Sequence, residues 1–264
     1  MKWFFYIFSL LLFSCQQKQS TIDTTLQTRV DSILQNKMSE IGAISGQAIV
    51  MEVRTGEIKA MVGNGISQES GLIRTASLLA ALETGKVKLS DTIDVGEGVY
   101  MVHNRELLDH NWHRGGYGKL TTLQGLMVNS HIANYKNIER AFTEEQAYFD
   151  MLDKMNYGQP ENIEGLNDLK AAHFITPNDS GWNNTSLAWF CIGYNQRISP
   201  IQMLTFYNAI ANNGKMVKPT LYKGETEIIN PQIASKANID SLQMALVKVV
   251  TEGLGKPAQS EKVQ

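Results

Sequence analysis

Leu26, Val30, Ile33, Leu34 and Met38 recur at intervals of three and four residues, a spacing that predicts an amphipathic helix. The polar stretch 16–21 before it reads as a short tether. Ser45–Val53 and Ile58–Val62 are apolar and β-branched on either side of Arg54-Thr55-Gly56-Glu57, the pattern of a largely buried β-hairpin. Leu72–Glu83 is helical in composition, and Gly85 supplies the left-handed residue expected just past its end. Asp94–Gly118, rich in Gly, His and Asn, reads as an ordered loop, and Leu120–Phe142 and Glu144–Met155 as helices. Residues 156–184 are punctuated by Gly, Pro, Asn and Asp and read as loop. Ser199-Pro200 opens a helix that closes at Asn213-Gly214, and a last helix, Asn238–Thr251, runs into Gly253 and Gly255. The polar end, 256–264, is expected to fray.

The first residues differ in kind. Lys2 precedes an apolar run from Trp3 to Phe13, the length of a signal-peptide core and too short to span a bilayer. The run ends in Leu12-Phe13-Ser14-Cys15, which resembles the bacterial lipobox and makes Cys15 the expected lipidation site. The other reading is an ordinary secretory signal with an incidental cysteine. With Cys15 so assigned, Cys191 is the remaining cysteine, so no intrachain disulfide is available. In its setting, Leu187-Ala188-Trp189-Phe190-Cys191-Ile192, it reads as a small buried filler.

At 264 residues, 43% hydrophobic and 19% charged, the composition is that of one globular domain or two small ones. A net charge of -2 with no Lys/Arg run implies no nucleic-acid partner and no electrostatic membrane surface. A membrane enters only through the lipid anchor.

Several collinear segments carry a resemblance: Ala48-Ile49-Val50-Met51-Glu52-Val53-Arg54-Thr55-Gly56-Glu57-Ile58, Ala80-Ala81-Leu82-Glu83-Thr84-Gly85-Lys86, the stretch from Asp109 to Gly118, Ile192-Gly193-Tyr194, Ser199-Pro200-Ile201-Gln202, and Tyr207 to Pro219. Together they resemble the transpeptidase domain of class B penicillin-binding proteins, the division-type members above all, over roughly Thr21 to Gly255. The resemblance implies an α+β fold of the penicillin-binding and serine β-lactamase type. It also implies a catalytic serine and lysine in an S-x-x-K motif that attacks a D-alanyl-D-alanine peptide or a β-lactam. Spacing of three puts the two side chains on one helix face, with the serine at the positive helix end.

Counting back from Ala81-Leu82 and Gly85 places the nucleophile at Gly71 and the lysine at Arg74. Glycine offers no nucleophile, and a guanidinium stays protonated and cannot act as a base. Shifting the register by one gives Leu72 with Thr75, or Ser70 with Ile73, and nowhere in the chain does a lysine follow a serine by three positions. The second family motif, S-x-N, falls on Asn129-Ser130-His131, with both outer positions changed. The third, a K-T-G strand expected soon after Gly255, is absent from the sequence up to Gln264. Two of the family's five sheet strands are encoded, so the expected fold is an incomplete one.

Other residues have plainer readings. Ser130 and His131 are adjacent and, on a helix, point about 100° apart. His110 and His113 sit in a Gly-rich loop and are read as structural hydrogen-bonders, so no metal is assigned, nor any cofactor. Arg74 is read as a solvated arginine, with a carboxylate ligand as the alternative. Glu144, Glu145, Asp150 and Asp153 read as a solvated face.

The expected organisation is a signal peptide with lipobox over 1–15, a tether over 16–21, a partial transpeptidase-like domain over 22–255 and a tail over 256–264. The leading functional expectation is an inactive cell-envelope lipoprotein that holds a wall-synthesis or division protein or a peptidoglycan peptide. It lies on the periplasmic face or cell surface of a bacterial membrane. The alternatives are a truncated, decayed gene product and, against the missing serine and lysine, an active D,D-transpeptidase or carboxypeptidase.

Overall fold

The structure is a computed structural model, and residues 18–64 and 69–260 are described below. Cys15 and the proposed signal segment lie outside the described residues, as does 261–264.

The chain runs α1 (Thr24–Ile41), β1 (Gln47–Met51), β2 (Ile58–Gly63), α2 (Ile73–Glu83), β3 (Thr92–Gly96), β4 (Val99–Val102), β5 (Arg105–Leu108), β6 (Gly118–Thr121), α3 (Thr122–Met127), α4 (His131–Ala141) and α5 (Glu145–Lys154). It continues through β7 (His173–Phe174), α6 (Ser186–Phe190), β8 (Gln196–Arg197), α7 (Pro200–Ala211), β9 (Met216–Val217), β10 (Ile228–Asn230) and α8 (Lys236–Thr251).

The expected hairpin forms: β1 and β2 pair antiparallel, Ala48 opposite Val62 and Val50 opposite Ala60. Ile58, Ala60 and Val62 alternate into the core, whereas β1 is only half-buried. The outer edge of β2 is covered. Ile58 N–H donates to Thr220 O at 2.9 Å, Asp23 N–H donates to Lys59 O at 2.9 Å, and the Gln27 amide bonds both backbone groups of Met61 at 2.8 Å. Among the described residues β1 pairs with β2 alone.

Residues 18–21 are not a free tether at this end. Thr21 is 4% exposed, and its N–H donates to Leu221 O while its hydroxyl donates to Ile58 O at 2.8 Å.

Helix α2 is the axis of the main core. Ile73 and every residue from Thr75 to Leu82 are buried, as an all-round apolar helix demands. Around it gather Ile132 and Ile138 of α4, Tyr148 and Phe149 of α5, Phe190 of α6, Phe206 of α7 and Leu242 of α8. Phe149 and Phe190 meet edge to face at 4.6 Å between ring centres.

Three expectations are corrected. Asp94–Gly118 is not loop alone, because β3 pairs with β6 and β4 with β5 in short ladders whose turns absorb the glycines. The helix expected over 120–142 is β6 followed by α3 and α4. Thr121 and Ser130 each cap a new helix through their hydroxyls, and Asn129 between them takes φ 56. The tail does not fray at its start: Leu254 N–H donates to Met127 O at 3.0 Å, and Lys256–Ala258 forms a 3-10 turn.

Candidate functional site

The start of α2 and the start of α4 face each other, and between them lies a small cavity of about 10 Å³. Arg74, Asn129, Ser130, Asn134 and Asn137 line it, so the folding brings together the positions of the first two motifs. At this size it holds about one water molecule.

Gly71 stands in the turn leading into α2. A Cβ added there would meet the Arg74 guanidinium, with the two terminal nitrogens at 2.7 and 2.9 Å and the central carbon at 3.1 Å. Arginine at 74 therefore fills the volume that a side chain at 71 would need. Its guanidinium donates to Ile192 O at 3.3 Å. This corrects the expectation of a solvated arginine: the side chain is half-buried, because the 192–194 segment closes over it.

The closure needs glycine at 193. With φ 120, a Cβ there would lie 2.6 Å from the carbonyl group of Ser70. In return Gly193 O accepts the Ser70 N–H at 3.1 Å, and Gln196 donates to Ser70 O at 3.2 Å. The Ser70 hydroxyl, one residue from the nucleophile position, accepts the Leu72 N–H at 3.4 Å.

Burial lowers the Arg74 pKa, opposed by Tyr207 and Cys191, yet a guanidinium keeps its proton throughout the range of folded stability. Burial pushes the Cys191 thiol up to about 12, which fits the filler role read from its sequence setting. The Tyr148 hydroxyl donates to Ser77 Oγ at 2.7 Å, and Ser77 donates to Cys191 O at 3.3 Å.

At the head of α4, Ser130 is the N-cap rather than a helical residue. Its hydroxyl accepts the Ala133 N–H at 3.0 Å and donates to Asp109 Oδ2 at 2.7 Å, while Asp109 Oδ1 accepts the Ile132 N–H at 3.1 Å. His131 turns elsewhere, its Nδ1 lying 2.9 Å from Leu108 O. The two side chains do not face one another. Burial first, and then the Arg74 charge, hold the His131 pKa below its usual value.

His110 meets the Tyr117 hydroxyl at 3.0 Å, a structural contact as expected. No group of three metal-ligating side chains occurs among the described residues. Of the four acids read as solvated, Glu145 differs: it accepts the Trp182 indole N–H at 2.6 Å and is half-buried.

Sequence reasoning missed Asp109 as the anchor of Ser130 and Asn134 as the amide that donates to Cys191 O at 2.7 Å. Asp109 opens a segment quoted for the family resemblance. Asn134 follows Ser130 by one helical turn, so its place on the cleft face was available from spacing.

Comparison with known proteins bears on the same region. A family model described as the penicillin-binding protein transpeptidase domain matches residues 46–264. Penicillin-binding protein PbpB of Mycolicibacterium smegmatis is 24% identical over 234 residues, covering 78% of this chain and 34% of the relative. Peptidoglycan D,D-transpeptidase FtsI of Escherichia coli is 23% identical over 216 residues, covering 74% and 35%. The chain thus spans about a third of the length of these curated relatives. The transpeptidase domain of Burkholderia pseudomallei penicillin-binding protein 3 superposes with TM-score 0.81 at 20% identity, over 93% of this chain and 75% of that one, a likeness that shows the fold.

Proposed function

Because the chain belongs to the penicillin-binding protein transpeptidase family, whose model spans residues 46–264, we propose that it keeps the family's fold without its acyl-transfer step. One observation carries this reading: the Arg74 guanidinium fills the space at position 71 where the S-x-x-K motif would hold a serine. Acyl transfer needs a nucleophile with an adjacent base. Gly71 supplies neither group, and Arg74 cannot take up a proton. The Ser70 hydroxyl accepts the Leu72 N–H, and among the described residues no basic side chain bonds to it.

On this reading the protein acts by binding. It sits in the cell envelope, anchored through a lipid on Cys15, and holds a wall-synthesis or division protein or a peptidoglycan peptide. The apolar run ending at Cys15 supports the anchor, and the family supports the envelope setting.

The test is release of D-alanine from a peptidoglycan stem pentapeptide by the purified chain. No release above buffer is expected, and steady turnover contradicts the reading. The anchor is tested separately with Cys15→Ala, which should move the protein from the membrane fraction to the soluble one.

A further inference from the structure

The Arg74 charge lacks a counter-charge among the described residues. Among the described residues no carboxylate pairs with it, and none lines the cavity it faces. Its titratable neighbours are neutral at pH 7. Burial keeps the Cys191 thiol and the Tyr207 hydroxyl protonated and holds His131 below its usual pKa. Asp109, which does not line the cavity, is committed to Ser130 and the Ile132 N–H. A half-buried guanidinium in such a place normally sits against a carboxylate.

A second donor lines the cavity. Asn137 is 4% exposed and lines the same cavity. Its Oδ1 accepts the Thr122 hydroxyl at 3.2 Å, and its amide nitrogen has no hydrogen-bond partner among the described residues. Asn129, held at φ 56 just before α4 and exposed, also lines it. A charged fork, the buried Asn137 amide and the exposed Asn129 side chain line a space of about one water molecule.

We propose that this cavity binds a small anion, either a free halide or one oxygen of a carboxylate entering from the mouth, held by Arg74 with Asn137 and Asn129. The site goes beyond the non-acylating reading and stands apart from it, because it depends on the charge at 74 and not on whether residue 71 reacts.

Bromide is the probe. Crystals of the full chain soaked in sodium bromide should show an anomalous peak beside Arg74 and Asn137, absent with Arg74→Gln and retained with Arg74→Lys. In solution, chloride line broadening in NMR should weaken by at least about tenfold in apparent affinity for Arg74→Gln, about 1.4 kcal/mol. Displacement by N-acetyl-D-alanine would identify a carboxylate-accepting site, and failure to displace a halide site. Either fits the proposal. An empty or water-filled cavity in high bromide, together with no N-acetyl-D-alanine binding, would overturn it. So would a bromide peak that persists undiminished in Arg74→Gln.

Discussion

The guanidinium of Arg74 and the missing side chain of Gly71 occupy the same space: a Cβ on residue 71 would stand 2.7 Å from one terminal nitrogen. The obstacle is the end of a flexible side chain, so it can swing aside at modest cost. Gly71→Ala should lose about 1 kcal/mol, the low end of overpacking costs. With Arg74→Ala already present, the same change should be neutral or stabilising. Urea unfolding of the four proteins measures the coupling, and additive effects would show that the two positions do not compete.

Ser130 joins two jobs, capping α4 and holding the buried Asp109 carboxylate at 2.7 Å. Ser130→Ala removes the cap and leaves a fully buried acid short of a partner, a loss of about 1–3 kcal/mol. Ser130→Thr should retain most of the stability. Denaturant midpoints check both.

His131 makes stability depend on pH. Its folded pKa lies below the ordinary 6.5, so between the two values the unfolded chain binds more protons than the folded one. The folded state is therefore favoured above pH 6.5 and loses stability as pH falls below it, levelling off beneath the folded pKa. His131→Asn should flatten the part of the slope that belongs to this residue. The free energy of urea unfolding, measured from pH 5 to 8 in both proteins, reads the difference.

Cys191 is fully buried with its thiol pushed up to about 12, and its Sγ–H donates to Ala188 O at 3.3 Å. Iodoacetamide at pH 8 should leave it unmodified in the native protein and alkylate it in urea. Peptide mapping distinguishes it from Cys15. Rapid native alkylation would contradict the burial.

Much of the fold was legible in the sequence, because long segments carry one period. The spacing from Leu26 to Met38, the Thr55-Gly56 turn and the Ser199-Pro200 start all name their elements, and α1, the hairpin and α7 follow. The break between α3 and α4 was hidden, since apolar residues continue at helical spacing through Leu123, Leu126, Met127 and Ile132 while the break depends on Asn129 and the Ser130 cap. Strands β3 to β6 were hidden because each is four or five residues long and bounded by Gly, His or Asn turns. Motif counting named Gly71 and Arg74. The burial of Arg74 was out of reach, because its partner Ile192 lies 118 residues away, in the turn after α6.

Position 71 is a glycine whose side-chain space is filled by the Arg74 guanidinium, and the proposed reading is that it is not acylated. Intact-mass spectrometry after incubation with excess benzylpenicillin tests it most directly. The expected result is an unchanged mass for the wild-type chain. A covalent adduct of one penicillin per chain that survives denaturation would contradict the account, and mapping it to a residue would identify the nucleophile that Gly71 does not provide.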